Sequence, residues 1–470
     1  MTSSREEQRQ QNIRLRNYLP KEAVNPQGAE EVPSSSPARI EEKTREFRYN
    51  NLMNFVVERR NLLQALHRVE RNKGASGIDG MEIKSLRPYL VLHWNEIRFQ
   101  LLNGTYKPQP VRRVEIPKPD GGMRLLGIPT VLDRLIQQAL LQVLSPLFDS
   151  TFSPYSYGFR PGRKAQDAVK QAQAYIREGY RFVVDMDLEK FFDKVNHDIL
   201  MAKIARLVAD KRILKLIRCY LQAGIMVNGC CIASEEGTPQ GGPLSPLLAN
   251  IMLDDFDKEL TRRGHRFVRY ADDCNIYIKS HRAGERVLQN LKAYVEERLK
   301  LKVNMEKSAV DRPWKRKFLG FSFTSNKEPK IRIAPKALKR FKEKVRELTS
   351  RRKSQSMEYR MLKLNEYLRG WTGYFRLADT RSIFKSLDEW IRRRLRMCLL
   401  KQWKKSKTKR RSLVQLGIST EWASLISGSR KKYWRLSKTP QLNKALGIAY
   451  WRNQGLCSLV DKFDEFRSTT

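Results

Sequence analysis

From Phe47 to Leu102 the apolar residues recur at helical spacing, as in Leu62, Leu63, Leu66 and Val69, interrupted once by the turn-forming stretch KGASGIDG, Lys73 to Gly80. This pattern predicts helix, loop, helix. The period then shortens: VRRVEIP and MRLLGIP read as two short strands, and the PDGG between them has the chemistry of a hairpin turn. Helical spacing resumes from Leu132 to Leu147. RFVVDMD, Arg181 to Asp187, reads as a strand and opens an alternation of strands and helices. That alternation continues through RYADDCNIYI, Arg269 to Ile278, to the strand KFLGFSF, Lys317 to Phe323. Beyond Pro335 the pattern is all-helical, with Leu338, Phe341, Val345 and Leu348 on one face and Lys and Arg crowding the other. Leu362 to Tyr374 and Ile391 to Trp403 repeat the habit, and the second carries RRRLR. An α+β body followed by an all-helical basic one is therefore expected.

Composition changes this picture in two ways. Residues 1–46, with QRQQN and NPQGAEEVPSSSPAR, are too polar to bury a core and are expected to form a mobile arm. Across the 470 residues Lys and Arg number 92 against 50 Asp and Glu, a formal net charge of +42. A surplus of that size implies a polyanionic partner, because each phosphate neutralised releases condensed counterions. No apolar run approaches the roughly 20 residues needed to span a bilayer, and the N-terminus has no signal-peptide pattern. The six cysteines and five histidines contain no C-x-x-C pair and no metal-ligand spacing. Neither zinc nor a disulfide framework is expected, and a cytoplasmic, reducing compartment with no membrane partner fits these features.

The chemistry sits in carboxylates. Asp272 and Asp273 interrupt an apolar run at the expected tip of a β-hairpin whose strands are fixed by Val268, Tyr270, Ile276 and Ile278. Asp185 and Asp187 end the RFVVDMD strand and, at period two, point to the same side. If a mixed sheet sets that strand beside the hairpin, the converging carboxylates repel one another unless a divalent cation lies among them. Mg²⁺ favours a few carboxylates plus phosphate oxygens. Two such ions stabilise both the attacking and the leaving oxygen of an in-line phosphoryl displacement, which is the chemistry of nucleotide polymerisation. Spacing alone leaves Asp185 and Asp187 both open as the third carboxylate.

These motifs, in this order, resemble the reverse transcriptases encoded by bacterial group II introns, also called maturases, over about Phe47 to Phe466. VERRNLLQALHRVERNKGASGIDG resembles the extension that precedes the fingers and contacts template and intron RNA. VEIPKPDGGMRLLGIPT resembles the fingers hairpin, and the resemblance assigns Lys118 and Arg124 to the triphosphate of the incoming nucleotide. YSYGFRPGRKAQDAV resembles the next fingers motif. DLEKFFDKVNH resembles the first catalytic motif, which selects Asp187 over Asp185 as metal ligand and places Phe192 where a bulky side chain crowds a ribose 2′-OH. EGTPQGGPLSPLLANIMLDDFD implies Gln240 near the incoming nucleotide. YADD supplies Asp272 and Asp273, and Lys307 in VNMEKSAV falls at a basic position of the family. KFLGFSF resembles the strand that grips the primer end. LNEYLRGWTGYFR and the Arg-rich helix with Arg392, Arg393, Arg394 and Arg396 resemble the thumb or maturase domain, which binds intron RNA.

The resemblance implies a right-hand polymerase, fingers and palm, followed by a helical thumb. The expected divisions are the arm, an extension over 47–105, fingers and palm over 106–330, a thumb over 331–430 and a C-terminal segment over 431–470 that keeps part of a DNA-binding region. Two Mg²⁺ ions, dNTPs, an RNA template with a DNA primer, structured intron RNA and target DNA are the implied ligands. Many relatives add a zinc-dependent H-N-H endonuclease with paired C-x-x-C motifs. No such cysteines occur here, so second-strand nicking is not expected. Two competing readings are a non-catalytic RNA-binding splicing factor and a relative with a host role in DNA repair or phage defence.

Overall fold

A computed structural model describes residues 50–117, 122–227, 230–232 and 235–468; the arm expected over 1–46 and the hairpin turn after Pro117, Lys118 included, lie outside the described residues. The chain divides into two compact units, Met1–Ala168 with Val184–Val310, and Val169–Val183 with Asp311–Thr470.

In the first unit the opening helices are α1 (Leu52–Val56), α2 (Arg59–Asn72) and α3 (Ile83–Leu102). Leu62, Ala65, Leu66 and Val69 form the buried stripe of α2, and Lys73, in a left-handed conformation, ends it. Strand β1 (Val111–Pro117) pairs antiparallel with β2 (Met123–Ile128), and helix α4 (Val131–Asp149) receives α2 on its flank. The chain continues through α5 (Ala165–Arg177) and β3 (Phe182–Met186), of which Val169–Val183 belong to the second unit, then α6 (His197–Ala205) and α7 (Lys211–Gln222), to a hairpin of β4 (Ile225–Val227) and β5 (Cys230–Ile232). β4 joins β1 in parallel, giving the sheet order β2-β1-β4-β5. Strands of three residues are too short for an alternating pattern to mark them in sequence. Helix α8 (Ser245–Arg262), strands β6 (Arg266–Tyr270) and β7 (Asp273–Ile278), helix α9 (His281–Arg298) and strand β8 (Ala309–Asp311) follow. The second sheet has the order β6-β7-β3-β8, so the strand ending before Asp187 lies beside the strand beginning at Asp273. α8 packs on β6 and α9 on β7, and one apolar core runs continuously from Leu52 to Val303.

One buried charge holds the β6–β7 turn. Arg269 is 1% exposed. Its guanidinium donates to both Asp257 carboxylate oxygens (2.7 and 2.6 Å), to Asn250 Oδ1 (3.0 Å), to the Ala271 carbonyl (2.8 Å) and to Ser156 Oγ (2.8 Å), which uses all five of its N–H groups. The Arg269 backbone pairs with Tyr155 and Tyr157, so the YSYG segment lies along the outer edge of β6. Gly158 approaches the turn so closely that a Cβ there would stand 2.3 Å from the Ala271 nitrogen.

The second unit begins its sheet with β9 (Phe321–Phe323) against β10 (Ile331–Ile333). KFLGFSF is a strand only in its last three residues, because Phe318 and Phe321 exchange backbone hydrogen bonds of 2.9 Å across a tight turn. Helices α10 (Pro335–Leu348), α11 (Met357–Phe375) and α12 (Arg381–Gln402) follow, then α13 (Ser406–Gln415), α14 (Thr420–Gly428), α15 (Tyr433–Leu436), α16 (Pro440–Ala445), α17 (Ile448–Asn453) and α18 (Leu459–Ser468). Aromatic rings tie these helices together: Phe341 to Trp371 at 4.2 Å, Trp371 to Phe384 at 5.8 Å and Phe384 to Phe463 at 4.6 Å between centroids. Asp388 on α12 accepts from the Leu459 and Val460 N–H groups (3.0 and 3.1 Å) and from the Ser458 hydroxyl (3.1 Å), capping α18 from a neighbouring helix. The segment expected as a separate C-terminal portion therefore packs on α11 and α12 within this unit.

Arg269→Met should leave the Asp257 carboxylate buried without its partner and cost about 3–5 kcal/mol in urea unfolding; a loss under about 1 kcal/mol, the size expected of an exposed pair, would show that the pair is not structural. Asp388→Ala should cost about 1–2 kcal/mol and speed amide hydrogen exchange selectively in 459–468, whereas uniform exchange across the unit would contradict a local capping role.

Candidate active site

Asp187 follows directly on β3 and is held by the segment after α9. Its N–H donates to Ser308 Oγ (3.0 Å), and its carbonyl accepts from the Asn304 N–H (2.9 Å). The neighbouring Glu189 N–H reaches the Lys302 carbonyl at 2.8 Å, so residues 302–308 wrap the end of the strand. Lys307 Nζ stands 3.5 Å from Asp187 Oδ2 on an exposed side chain.

Asp272 is the second residue of the two-residue turn between β6 and β7; Ala271 takes the first, with φ +57°. Hairpin turns of this length need positive φ, and a residue with a Cβ adopts it at a cost of about 1–2 kcal/mol. The Arg269 bond to the Ala271 carbonyl holds it there. Burial pushes the Asp272 carboxyl above the usual carboxylate range; its own backbone N–H pulls it back, the Asp187 charge raises it further, and Arg124 and Arg269 lower it. Asp187 and Asp272 thus lie within electrostatic reach of each other, with Arg124, exposed on β2, in reach of Asp272. Asp273 opens β7 opposite Tyr270 and is exposed. Asp185 is half-buried within β3, and its charge reaches the buried Cys274 on β7.

Among the described residues no group of three or more His, Cys, Asp or Glu side chains is arranged to hold a metal ion. The Asp187 and Asp272 pair nevertheless suits one. Its donors are hard oxygens, one carboxyl is raised by burial and by its neighbour's charge, and a divalent cation between them would remove that repulsion while phosphate and water complete its shell.

The other expected nucleotide contacts fall on one loop and its two neighbours. Phe192 lies half-buried in a 3₁₀ turn, Phe191–Asp193, with its ring edge-on to Phe191 at 5.2 Å. Thr238 N–H donates to the Phe192 carbonyl (2.6 Å), and the Gln240 carbonyl accepts from Gly127 N–H in β2 (2.7 Å). The loop of 236–242 is thus tied to the turn carrying Phe192 at one end and to the strand carrying Arg124 at the other. Lys118 lies outside the described residues.

The four arginines of α12 expected at RNA are not equally exposed. Arg396 is buried and donates to the Ser437 carbonyl (2.9 Å) and the Leu446 carbonyl (3.2 Å); burial and the charges of Arg392 and Arg393 push its pKa down to about 10. Its donors are spent on main-chain oxygens inside the unit. Arg394 donates to Thr349 Oγ1 (2.6 Å), and Arg393 lies 3.9 Å over the Trp434 ring and donates to its carbonyl. Arg392 keeps a partly exposed side chain. Residues that sequence reasoning passed over include Arg269, Asn250, His197 and Ser308. The one legible signal among them is a cation, Arg269, set inside an apolar strand.

Comparison with known proteins identifies two matched regions. Residues 116–323 match the family described as reverse transcriptase (RNA-dependent DNA polymerase), and residues 338–417 match the group II intron, maturase-specific domain. The chain is 33% identical over 303 residues to Protein YkfC of Escherichia coli K12, covering 56% of this chain and 80% of that protein. It is 30% identical over 306 residues to the group II intron-encoded protein LtrA of Lactococcus lactis subsp. cremoris, covering 51% of each chain, so it spans about half of LtrA. A solved partial Cas6-RT-Cas1–Cas2 complex is 26% identical, with a TM-score of 0.35 over 58% of this chain and 46% of that one. The fold is α+β with a helical C-terminal part, as expected, and reverse transcriptase domains generally use divalent metal ions. On the matched regions and the relation to YkfC, the chain belongs to the group II intron reverse transcriptase and maturase family.

Proposed function

We propose that this protein is the RNA-directed DNA polymerase of a group II intron, that it binds the structured intron RNA to promote splicing, and that it supports target-primed reverse transcription into DNA. The observation that carries the reading is the meeting of Asp187 and Asp272 at neighbouring strands, with the Arg124 charge in reach of Asp272. The relation to LtrA, whose name marks it as intron-encoded, supports the intron association.

In this reading Asp187 and Asp272, with the adjoining Asp273, would hold two Mg²⁺ ions, whose chemistry when bound would be to stabilise the attacking and leaving oxygens of the displacement. The primer 3′-oxygen forms a bond to the α-phosphorus of a dNTP as the bond to pyrophosphate breaks. Arg124 and Lys118 orient the triphosphate, Gln240 lines the base-pair side and Lys307 keeps a positive charge beside Asp187. Phe192 crowds the sugar where a 2′-OH would lie. In the second unit, exposed Lys336, Lys339, Arg340 and Lys342 on α10, with Arg392 on α12, offer phosphate and 2′-OH contacts suited to A-form RNA.

Asp187→Ala and Asp272→Ala should each lower primer extension on an RNA template by about 100-fold or more, with unchanged circular dichroism. Full cDNA synthesis by either variant would overturn the assignment. Phe192→Ala should raise rNTP incorporation relative to dNTP by on the order of tenfold, measured as a ratio of kcat/KM values; an unchanged ratio removes Phe192 from the sugar site.

A further inference from the structure

We infer that His197 is a positioning residue that sets how strictly the nucleotide site excludes ribose, acting through the Gly237 carbonyl on the loop that anchors Phe192. The inference rests on the reading of Phe192 as the group beside the sugar.

His197 is the first residue of α6 and is 4% exposed. It has no part in capping its own helix, because the Asn196 side chain already accepts from the Ile199 N–H. Instead its Nε2 lies 2.7 Å from the Gly237 carbonyl, forty residues away in sequence. A carbonyl only accepts, so the ring carries its proton on Nε2.

The segment that this bond holds is laid against the turn carrying Phe192. Gly237 N–H donates to the Val195 carbonyl (2.7 Å), Thr238 N–H donates to the Phe192 carbonyl (2.6 Å), and Asn196 bridges Glu236 in antiparallel fashion. Gly237 has φ +89°, and a Cβ there would stand 2.9 Å from the Asp193 carbonyl oxygen and 3.0 Å from that of Phe192. The approach is already as close as backbone permits. Thr238 is 3% exposed, and its hydroxyl finds no partner among the described residues, so the loop is placed here by its main chain. Further on, Ser245 Oγ donates to the Pro239 carbonyl (2.7 Å) and Gly127 N–H to the Gln240 carbonyl (2.7 Å). The result is a strut of fixed length from β2 to the Phe192 turn.

A steric gate depends on where its ring stands to within about 0.5 Å. The Phe192 ring is only half-buried, so packing of the ring leaves it room to shift. Its backbone carbonyl is the better-held point, and that carbonyl is held by the Thr238 N–H next to the residue His197 fixes. Removing the imidazole donor frees Gly237 to rotate, and with it the bond that locates Phe192.

The test is single-nucleotide primer extension with a dNTP and the matching rNTP by wild type, Phe192→Ala, His197→Ala, His197→Gln and the Phe192→Ala/His197→Ala double variant. His197→Ala should lower the dNTP-over-rNTP ratio of kcat/KM by about three- to tenfold. His197→Gln, whose amide N–H can reach the same carbonyl, should restore most of it. The double variant should match Phe192→Ala alone, because both changes act on one ring. If Phe192→Ala relaxes discrimination while His197→Ala lowers dNTP and rNTP incorporation equally, the inference fails and the gate reading stands. If Phe192→Ala changes nothing, the gate reading itself fails. Should His197→Ala not fold, as judged by thermal melting, His197→Gln is compared with His197→Asn, whose amide sits on a shorter side chain. A stricter Gln variant supports the inference, and equal ratios overturn it.

Discussion

The first unit depends on one buried charge that cannot be left unpaired. Removing Arg269 and Asp257 from water carries a desolvation penalty of several kcal/mol for each ion, which their mutual attraction offsets only when every remaining donor is satisfied. Here every guanidinium N–H finds an acceptor, and the acceptors come from separate parts of the chain. Asp257 and Asn250 belong to α8, Ser156 to the segment along the edge of β6, and Ala271 to the turn itself. None of these can move without stranding a buried polar group. The left-handed Ala271 is therefore held from three sides, and Asp272, the next residue, inherits its position.

The same economy of means appears around the other residues proposed for the site, where backbone groups do the holding. Asp187 is fixed by hydrogen bonds to its N–H and carbonyl, which leaves its carboxylate facing Lys307. Phe192 is fixed through its carbonyl and Gln240 through its own. Arg124 stays exposed on a strand whose register with β1 is set by six opposed pairs from Arg112–Ile128 to Pro117–Met123. A fixed main chain with exposed polar tips suits the proposed nucleotide site, which would have to accept four different nucleotides while holding the reacting atoms in one place.

Much of this was legible in the sequence, for identifiable reasons. The stripe of α2 and the helical run after Pro335 announced themselves because one buried face against solvent imposes a 3.6-residue period. The hairpin at Asp272 was visible because two adjacent carboxylates cannot both be buried in the middle of a strand, so the chain must turn there. The choice of Asp187 over Asp185 was not legible from spacing, since both point to the same side, and came from resemblance. Three features were hidden for a common reason: they are made by partners far apart in sequence. Arg269 meets Ser156 across 113 residues, His197 meets Gly237 across 40, and Arg396 meets Ser437 and Leu446 across 41 and 50. Periodicity describes one helix face at a time and says nothing about which later segment covers it.

Long-range pairing of this kind also changes what the charge of +42 means. A count of Lys and Arg treats every cation as available to a polyanion, yet several arginines spend their donors on backbone carbonyls. Arg360 is buried and caps the end of α10 through the Leu348 and Ser350 carbonyls, and Arg160 binds the Ser153, Ser156 and Asp149 carbonyls. Arginine suits that work because its planar fork satisfies several acceptors at once and keeps its charge under partial burial. Lysine, a point charge on a flexible stem, is less suited to it, and the exposed positions of α10 carry Lys336, Lys339, Lys342 and Lys344 alongside Arg340 and Arg346. The two cations thus divide the labour. A share of the arginines holds the fold by satisfying main-chain oxygens that would otherwise be buried and unpaired, and the long-range field that would draw in a nucleic-acid backbone rests more heavily on lysine than the RRRLR motif suggests.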